Sequence, residues 1–351
     1  MGIFTRSFDK PGKGVDLNAP PKRSFFRFWD IFGRKFTHFV RVNLVYVLTS
    51  IPTFLLVFFL TGLVSSAILE VPSLQSLLQN LAQQTAENMG DSNLVTQQLN
   101  QMIVMVDLFM RFVLTYLFVI LWGMGPATAG LTYVLRNFAR EEHAWIWSDF
   151  KDALKSNFKQ SAIVFFIDLV VFVLFYVAFA FYLQMSGFLG AMRYVIAVIA
   201  IIYTMMHFYL YPMMVTFQLS LKDLYRNALL FAIGKLPSNL LILAILLLVH
   251  VGSVLMAINF GGGYFMLILF VILLLEILIL QSFSAFIVNF HAYPKMKKYM
   301  ILNTDEKVKS DTFQDTGKST EDDVTEDMMS PYTDYRKYTE NPQADDTDGN
   351  Q

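Results

Sequence analysis

Three ionisable side chains lie inside long apolar stretches of this sequence: Asp168, His207 and Glu276. Such residues are costly in lipid, and they often mark a proton or ion path. A proton-coupled transporter would use a carboxylate and a histidine near the middle of the membrane. Alternatively, a buried carboxylic acid takes up a proton and hydrogen-bonds across a helix interface. We expect this structural role for Asp168 and Glu276, because neither is accompanied by a second acidic residue or an arginine in its own apolar stretch.

Other patterns that could support chemistry are weak. Asp107 and Arg111 are four residues apart, a helical spacing that predicts an ion pair. The chain has no cysteine, and its five histidines form no HExxH or HxxxH pair. No GxSxG motif occurs, and the GGGYF segment at 261–265 lacks the lysine and the strand–helix context of a phosphate loop. We therefore expect no catalytic residue, no metal site and no cofactor, and we predict that the protein is not an enzyme.

The composition indicates a membrane protein. The 351 residues are 55% hydrophobic and only 16% charged, and the mean hydropathy is +0.47. A spanning helix needs about 20 mostly apolar residues. In lipid, backbone groups must be paired within the segment, which predicts helices and an all-α polytopic integral membrane protein with six transmembrane helices. The six apolar stretches are 42–69, 103–122, 161–185, 193–219, 237–258 and 264–290.

Lysine and arginine alternate between the two sides of these stretches. By the positive-inside rule, the basic segments face the cytoplasm, so both termini are predicted to be cytoplasmic. The basic segments are 1–41, 136–160, 220–236 and 295–298, and the segments without lysine or arginine are 70–101, 186–192 and 259–263.

Three regions follow from this pattern: 1–41, 42–300 and 301–351. Residues 24–41 mix aromatic and basic side chains, which predicts an interfacial amphipathic helix on an anionic leaflet, or simply a positive-inside anchor. The external loop 70–101 predicts a helical hairpin, either a lid for a partner or a cap over the bundle. The acidic tail 301–351 is almost free of Leu, Ile and Val, which predicts disorder.

A helix break is expected where the second apolar stretch ends. Gly123, Gly125 and Pro126 interrupt it, because proline removes a backbone donor and glycine permits bending. Pro212 interrupts the fourth stretch at a matching position. Each break is followed by a basic exit, an amphipathic segment and another apolar stretch, so the sequence suggests a parallel internal duplication.

The segment after the first break could form a cytoplasmic docking surface. Its aromatic residues recur at helical spacing in 148–160, and a tryptophan pair fits an interfacial aromatic belt. The docking candidates are Arg136, Trp145, Trp147, Phe150 and Phe158.

Three stretches carry a resemblance to a known family: FDKPGKGVD, GRKF followed after five residues by VNLVYVL, and WGMGPATAGLTYVLRNFAREEHAWIWSDFKDALKSNFKQ. They resemble the YesL-like family of bacterial membrane proteins, domain of unknown function 624, over roughly residues 8–300. The resemblance implies a multi-pass protein of the bacterial cell membrane with an accessory role in oligosaccharide uptake. Its partners would be the lipid bilayer and the permease or ATPase subunits of an ABC importer, with no nucleic acid. The external glutamine-rich loop and the acidic tail depart from the family pattern.

Three functional classes are consistent with these observations. The first, which we expect, is a non-catalytic accessory protein of a carbohydrate ABC uptake system. The second is a secondary transporter or channel in its own right. The third, an ABC permease subunit, is disfavoured because DLYRNALLFAIGKLP lacks the Glu-Ala-Ala start and the spacing of the loop that docks the ATPase.

Overall fold

The computed structural model describes residues 23–69, 72–87, 92–260 and 262–302. Within these ranges the chain is helical and contains no strand. The α-helices are α1 Ser24–Arg34, α2 Phe36–Leu69, α3 Pro72–Glu87, α4 Ser92–Trp122, α5 Pro126–Ala139, α6 Ile146–Ser156, α7 Phe158–Leu183, α8 Gly187–Met214, α9 Leu221–Gly234, α10 Leu236–Leu247, α11 Ser253–Phe260, α12 Phe265–Leu275 and α13 Gln281–Met296. The shorter segments are π-helices Leu248–Gly252, Glu276–Leu280 and Lys297–Leu302, and the 3-10 helix Gly262–Tyr264. The chain divides into two units, Met1–Met296 and Lys297–Gln351.

Among the described residues, six helical segments are long and apolar enough to cross a membrane, which confirms the predicted number. The outward faces of these segments carry large exposed apolar side chains, the kind of surface that lipid covers. The protein is therefore a multi-pass helical membrane protein. The candidate spans are Phe36–Leu69, Leu99–Trp122, Phe158–Leu183, Gly187–Met214, Leu236–Phe260 and Gly262–Met300.

Helix α5 lies at the centre of the bundle. It has 14 residues, about 21 Å of helix, which is too short to cross a bilayer. Almost all of its side chains are buried, and it packs against α2, α6, α7, α8 and α13. Small residues permit this close approach, since a Cβ on Gly130 would lie 2.9 Å from the Phe150 carbonyl oxygen. The small-residue pattern after Pro126 thus produces a buried core helix.

Three short helices, α1, α6 and α9, each lead directly into a span. A single residue separates each from the next helix: Lys35, Asn157 and Lys235. Side-chain amides bond the carbonyls at two of these junctions, from Asn157 Nδ2 to Ala153 O at 2.9 Å and from Asn239 Nδ2 to Phe231 O at 3.0 Å. We call α1, α6 and α9 the elbow helices, and their side of the bundle the elbow end. The sequence predicted an amphipathic segment before a span at all three of these places, and the structure contains a short helix at each.

The first elbow helix is shorter than the predicted interfacial helix 24–41, because the helix bends at Lys35 and Phe36 already begins the first span. Its outward face still exposes Phe25, Phe26 and Trp29. Its inward face does not stay free, since the Phe28 ring stacks on the Phe286 ring with centroids 4.9 Å apart.

Two further predictions need correction. Pro212 does not break the fourth span, because α8 continues through it to Met214, and proline is tolerated so near a helix end. The predicted amphipathic helix 148–160 is divided at Asn157, so Phe158 belongs to the span α7.

At the end opposite the elbow helices, α3 packs against α4 as the predicted hairpin does. The ion pair of Asp107 and Arg111 forms, with an N–O distance of 2.6 Å, and Ser65 Oγ donates to Asp107 Oδ1 at 2.5 Å. A Cβ on Gly62 would lie 2.6 Å from Arg111 Nη1, so glycine makes room for the guanidinium. The predicted turn at 88–91, the N-terminal segment 1–22 and the tail from 303 lie outside the described residues.

Candidate functional site

A cavity of about 80 Å³ lies beside the break between α4 and α5. Gly123, in this break, forms part of the cavity wall. Gly123 has φ +84° and Gly125 has φ +60°, a backbone region that favours glycine. A Cβ on Gly125 would also lie 2.9 Å from the Phe165 Cβ. Polar side chains in the lining are Tyr46, Thr128, Thr132, His207, Tyr211, His250, Gln281, Ser284 and Asn289. The described lining contains no Asp, Glu, Lys or Arg.

His207, which lines the cavity, belongs to a buried carboxylate–histidine pair from α7 and α8. His207 Nε2 lies 2.9 Å from Asp168 Oδ1, and the Tyr203 hydroxyl donates to the same oxygen at 2.7 Å. Asp168 is fully buried and His207 is 5% exposed. The Trp122 ring stacks on the imidazole with centroids 6.0 Å apart and fixes its plane. Asp168 stands ten residues into α7, about 15 Å from the elbow end.

The hydrogen bonds of His207 restrict where its protons can be. Nδ1 lies 3.0 Å from the Tyr203 backbone carbonyl, which can only accept, so Nδ1 carries a hydrogen. Nε2 faces Asp168, and one proton must lie between these two groups. Either Asp168 is a neutral acid donating to Nε2, or the histidine is protonated and donates to a carboxylate. The pair therefore holds one proton that can sit on either partner.

A second pair lies about 21 Å from the elbow end, where His250 stands fourteen residues after the start of α10. His250 Nδ1 is 2.7 Å from Glu276 Oε1, and the Tyr116 hydroxyl donates to the same oxygen. Gln281 Nε2 donates to Glu276 Oε2 at 2.9 Å. The other histidine nitrogen, Nε2, lies 2.7 Å from Ser284 Oγ, which can donate as well as accept. Three donors thus satisfy Glu276, and His250 can be neutral in this arrangement.

Both residues of this second pair stand in π-helical segments, Leu248–Gly252 and Glu276–Leu280. A π-helical turn loosens the backbone bonding, and such turns are frequent at functional sites. The side chain of Asn43 on α2 stabilises the second segment. Its Nδ2 donates to the carbonyls of Glu276 at 2.9 Å and Ile277 at 2.8 Å, and its Oδ1 accepts from the Ser282 backbone N–H at 2.6 Å.

The two pairs differ in how completely they are hydrogen-bonded. Asp168 Oδ2 is buried and has no hydrogen-bond partner, and the same holds for the hydroxyls of Tyr211 and Tyr225. Both carboxylate oxygens of Glu276, by contrast, have hydrogen-bond partners. The carboxylate nearer the elbow end is therefore incompletely paired, and the deeper one is fully paired.

The predicted docking residues separate into buried and exposed groups. Arg136 is buried, and its Nη1 donates to the Val215 carbonyl at 2.6 Å, so it closes the C-terminal end of α8. Phe150 is also buried, against the central helix α5. Trp145, Trp147 and Phe158 are exposed. Only these three are placed to meet a partner or the membrane interface.

An ion-pair clamp ties the first elbow helix to the loop after α5. Glu141 Oε1 lies 2.7 Å from Arg27 Nε, and Oε2 lies 2.8 Å from Arg34 Nη2. The hydrogen bond from Arg34 is the main cause that lowers the pKa of the Glu141 carboxyl below its usual value. Glu141 has φ +63°, so the loop places this carboxylate with a backbone conformation that non-glycine residues rarely adopt.

The amino-acid sequence indicated Asp168, His207 and Glu276 but not their partners. The structure pairs His207 with Asp168, which the sequence analysis did not predict. His250 could have been noticed as an ionisable residue inside the fifth apolar stretch. Tyr116, Tyr203 and Asn43 carried no signal, because their roles depend on which helices meet. Among the described residues, no group of three His, Asp or Glu could hold a metal ion.

These features define a multi-pass helical membrane protein with two buried polar pairs beside an internal cavity. Residues 103–179, from the second span to the third, match the family described as "Protein of unknown function, DUF624". Over these residues the match confirms the predicted resemblance to domain of unknown function 624, and it includes the break, α5, α6 and Asp168. No curated protein and no solved structure matches the chain.

Proposed function

We propose that this protein is a proton-linked secondary transporter. The observation that carries the proposal is the Asp168–His207 pair, which shares a proton and whose histidine lines a cavity in the bundle. Proton relays in transporters use buried carboxylate and histidine side chains that face the bundle interior. The ion pair and its neutral form can both be accommodated there, so the proton can move between Asp168 and His207 without leaving an unpaired charge.

The cavity indicates the class of solute. Hydroxyl, amide and aromatic side chains line it, and the described lining has no charged residue. A charged solute would meet no countercharge in such a lining, and its desolvation would be costly. Uncharged, hydroxyl-rich solutes fit this chemistry, and the family resemblance favours carbohydrates. The cavity of about 80 Å³ is too small for an oligosaccharide, so the proposal requires the helices to rearrange when a solute binds.

The test uses the purified full-length protein in liposomes that contain a pH-sensitive dye. We expect addition of a carbohydrate from a panel of mono- and disaccharides to change the internal pH, and an imposed pH gradient to drive uptake of the labelled sugar. Asp168→Asn, which cannot ionise, should abolish both signals. Protein-free liposomes and Asn259→Ala, which changes an exposed residue outside the cavity, serve as controls. Absence of any solute-dependent proton flux across the panel would contradict the proposal.

A second candidate is the accessory role in carbohydrate ABC uptake. The observation that favours it is the exposure of Trp145, Trp147 and Phe158, which lie in or at the ends of the elbow helix α6. Exposed aromatic residues are frequent in the centres of protein interfaces. In this role the protein would bind an importer permease or ATPase subunit rather than move solute itself.

Co-purification from the native membrane tests this candidate. Trp147→Asp together with Phe158→Asp should remove importer subunits from the purified protein while the protein stays in the membrane. Phe260→Asp is a matched control, because Phe260 is a comparably exposed aromatic residue at the opposite end of the bundle. If both variants retain the same partners, the aromatic surface is not a docking site.

A further inference from the structure

Asn289 on α13 carries a buried oxygen atom that has no hydrogen-bond partner. The residue is 1% exposed, and it lines the cavity beside the break between α4 and α5. Its Nδ2 donates to the Ala285 carbonyl at 2.8 Å. Because a backbone carbonyl can only accept, this bond fixes which end of the amide is the oxygen. Oδ1 is therefore an unpaired acceptor at the cavity lining.

The other buried asparagines show that this unpaired oxygen is unusual. The structure describes four buried asparagines, and in three of them Oδ1 accepts a hydrogen bond. These are Asn43 from the Ser282 backbone N–H at 2.6 Å, Asn137 from Arg136 Nη2 at 3.1 Å and Asn239 from the Tyr209 hydroxyl at 2.7 Å. An unpaired buried acceptor costs free energy, so its presence at a cavity points to a ligand that donates to it.

Helix α13 contributes three polar side chains to the cavity lining: Gln281, Ser284 and Asn289. The first two already serve the Glu276–His250 pair. Gln281 Nε2 donates to Glu276 Oε2 at 2.9 Å, and Ser284 Oγ bonds His250 Nε2 at 2.7 Å. Asn289 makes its one bond to its own helix, so its oxygen is the acceptor that α13 leaves for a solute.

Resting on the proposed function, we infer that Asn289 is a specificity-determining residue whose Oδ1 accepts a hydrogen bond from a hydroxyl group of the solute. The donor must be uncharged, because the described lining offers no carboxylate to balance an ammonium group. The Nδ2 bond to Ala285 stays in place, so binding adds a hydrogen bond without breaking one. A solute that lacks the hydroxyl leaves Oδ1 unpaired and binds more weakly.

The test is a thermodynamic cycle between this oxygen and a sugar hydroxyl, with the full-length protein in detergent. Tryptophan fluorescence measures the binding of glucose and of its monodeoxy analogues, since Trp122 lines the cavity. For the wild type, we expect one analogue to bind about five- to tenfold more weakly than glucose, the effect of one hydrogen bond. Asn289→Leu removes the acceptor and keeps a side chain of similar size. It should weaken glucose binding by the same factor and should no longer distinguish glucose from that analogue.

Asn259→Leu is the matched control. Asn259 Nδ2 also donates to the carbonyl four residues earlier, Leu255 O at 2.8 Å, but this asparagine is exposed. The control should bind glucose and the analogues as the wild type does. Size-exclusion chromatography checks the folding of each variant, and Asn289→Ala gives the same comparison if the leucine variant does not fold.

The outcomes separate this inference from the proposed function. The inference is overturned if the wild type does not bind glucose, if it binds all analogues equally, or if the discrimination persists in Asn289→Leu. Proton-linked sugar uptake in liposomes together with persistent discrimination would leave the transporter proposal standing without this role for Asn289. If Asn289→Leu abolishes the discrimination but no sugar drives proton flux, the binding role stands and the transporter proposal fails.

Discussion

The Asp168–His207 and Glu276–His250 pairs are built from the same side-chain types, each with a tyrosine hydroxyl on the carboxylate. They differ in the hydrogen-bond partners of the second histidine nitrogen and the second carboxylate oxygen. The backbone carbonyl on His207 Nδ1 obliges Asp168 and His207 to share a proton. The Ser284 hydroxyl on His250 imposes no such condition, and Gln281 completes the pairing of Glu276. Two similar pairs in one bundle can therefore serve different purposes.

The difference has a physical reason in the backbone around each pair. Asp168 and His207 stand in regular α-helices, whose geometry fixes the side chains but leaves one carboxylate oxygen unmatched. Glu276 and His250 stand in π-helical turns, and Asn43 bonds the carbonyls of Glu276 and Ile277. The fully paired site resembles a structural lock, as expected from the sequence for both carboxyl groups. Of the two carboxyl groups, only that of Asp168 has an oxygen without a hydrogen-bond partner, which leaves it able to exchange a proton.

The strongest test of this comparison replaces each carboxyl group by its amide. Asp168→Asn should reduce solute-linked proton flux in liposomes on the order of 100-fold or more, because the shared proton is lost. Glu276→Gln keeps the shape and should leave flux within about a factor of three, given that uncharged hydrogen bonds can replace the charged ones. Size-exclusion chromatography checks that both variants remain folded. Equal losses in the two variants would show that the pairs act together.

Removal of the side chains should reverse the order of the effects. Glu276→Ala leaves three donors without an acceptor, and at about 0.6–1.7 kcal/mol for each bond in a membrane bundle the cost is roughly 2–5 kcal/mol. Asp168→Ala removes the acceptor of two donors and should cost about 1–3 kcal/mol. Thermal unfolding in detergent measures the difference. A lower midpoint for Asp168→Ala than for Glu276→Ala would contradict the assignment of Glu276 as the lock.

The support of the π-helical turn can be tested separately. Asn43→Ala leaves the carbonyls of Glu276 and Ile277 and the Ser282 N–H unpaired, and we expect a loss of about 1–2 kcal/mol. Asn259→Ala is the matched control, because that amide bonds only Leu255 O in its own helix and is exposed. The two thermal midpoints give the comparison. If Asn43→Ala is no more destabilising than the control, Asn43 does not hold the turn.

The sequence predicted the six spans because each has a long apolar stretch, and it located the Gly123–Pro126 segment that borders the cavity. It predicted Pro212 as a break, but a proline in the last turn of a long helix does not interrupt it. The pairing of Asp168 with His207 could not be derived from spacing, since the two residues are on different helices. The direction that His207 Nδ1 faces depends on one backbone carbonyl, so the shared proton is a property of the tertiary structure.

An exposed carboxylate provides the reference for both buried pairs. Glu141 bonds Arg27 and Arg34, and the Arg34 hydrogen bond lowers its pKa from the usual 4.5. Its stabilising contribution is therefore present above pH 4.5 and is lost as the pH falls through the lowered folded-state pKa. Solvent screens this clamp, so Glu141→Gln should cost at most about 1 kcal/mol near neutral pH.

Thermal midpoints of the wild type and Glu141→Gln should accordingly differ slightly at pH 7 and converge in acid. Salt at about 1 M should also remove the difference, because it screens exposed charges within about 3 Å. The buried pairs should not respond to salt, since the helices around them exclude ions. A Glu141→Gln effect that persists in acid and in high salt would mean that packing, rather than the ion pair, fixes the first elbow helix. The exposed carboxylate would then no longer serve as the titrating reference for Asp168 and Glu276.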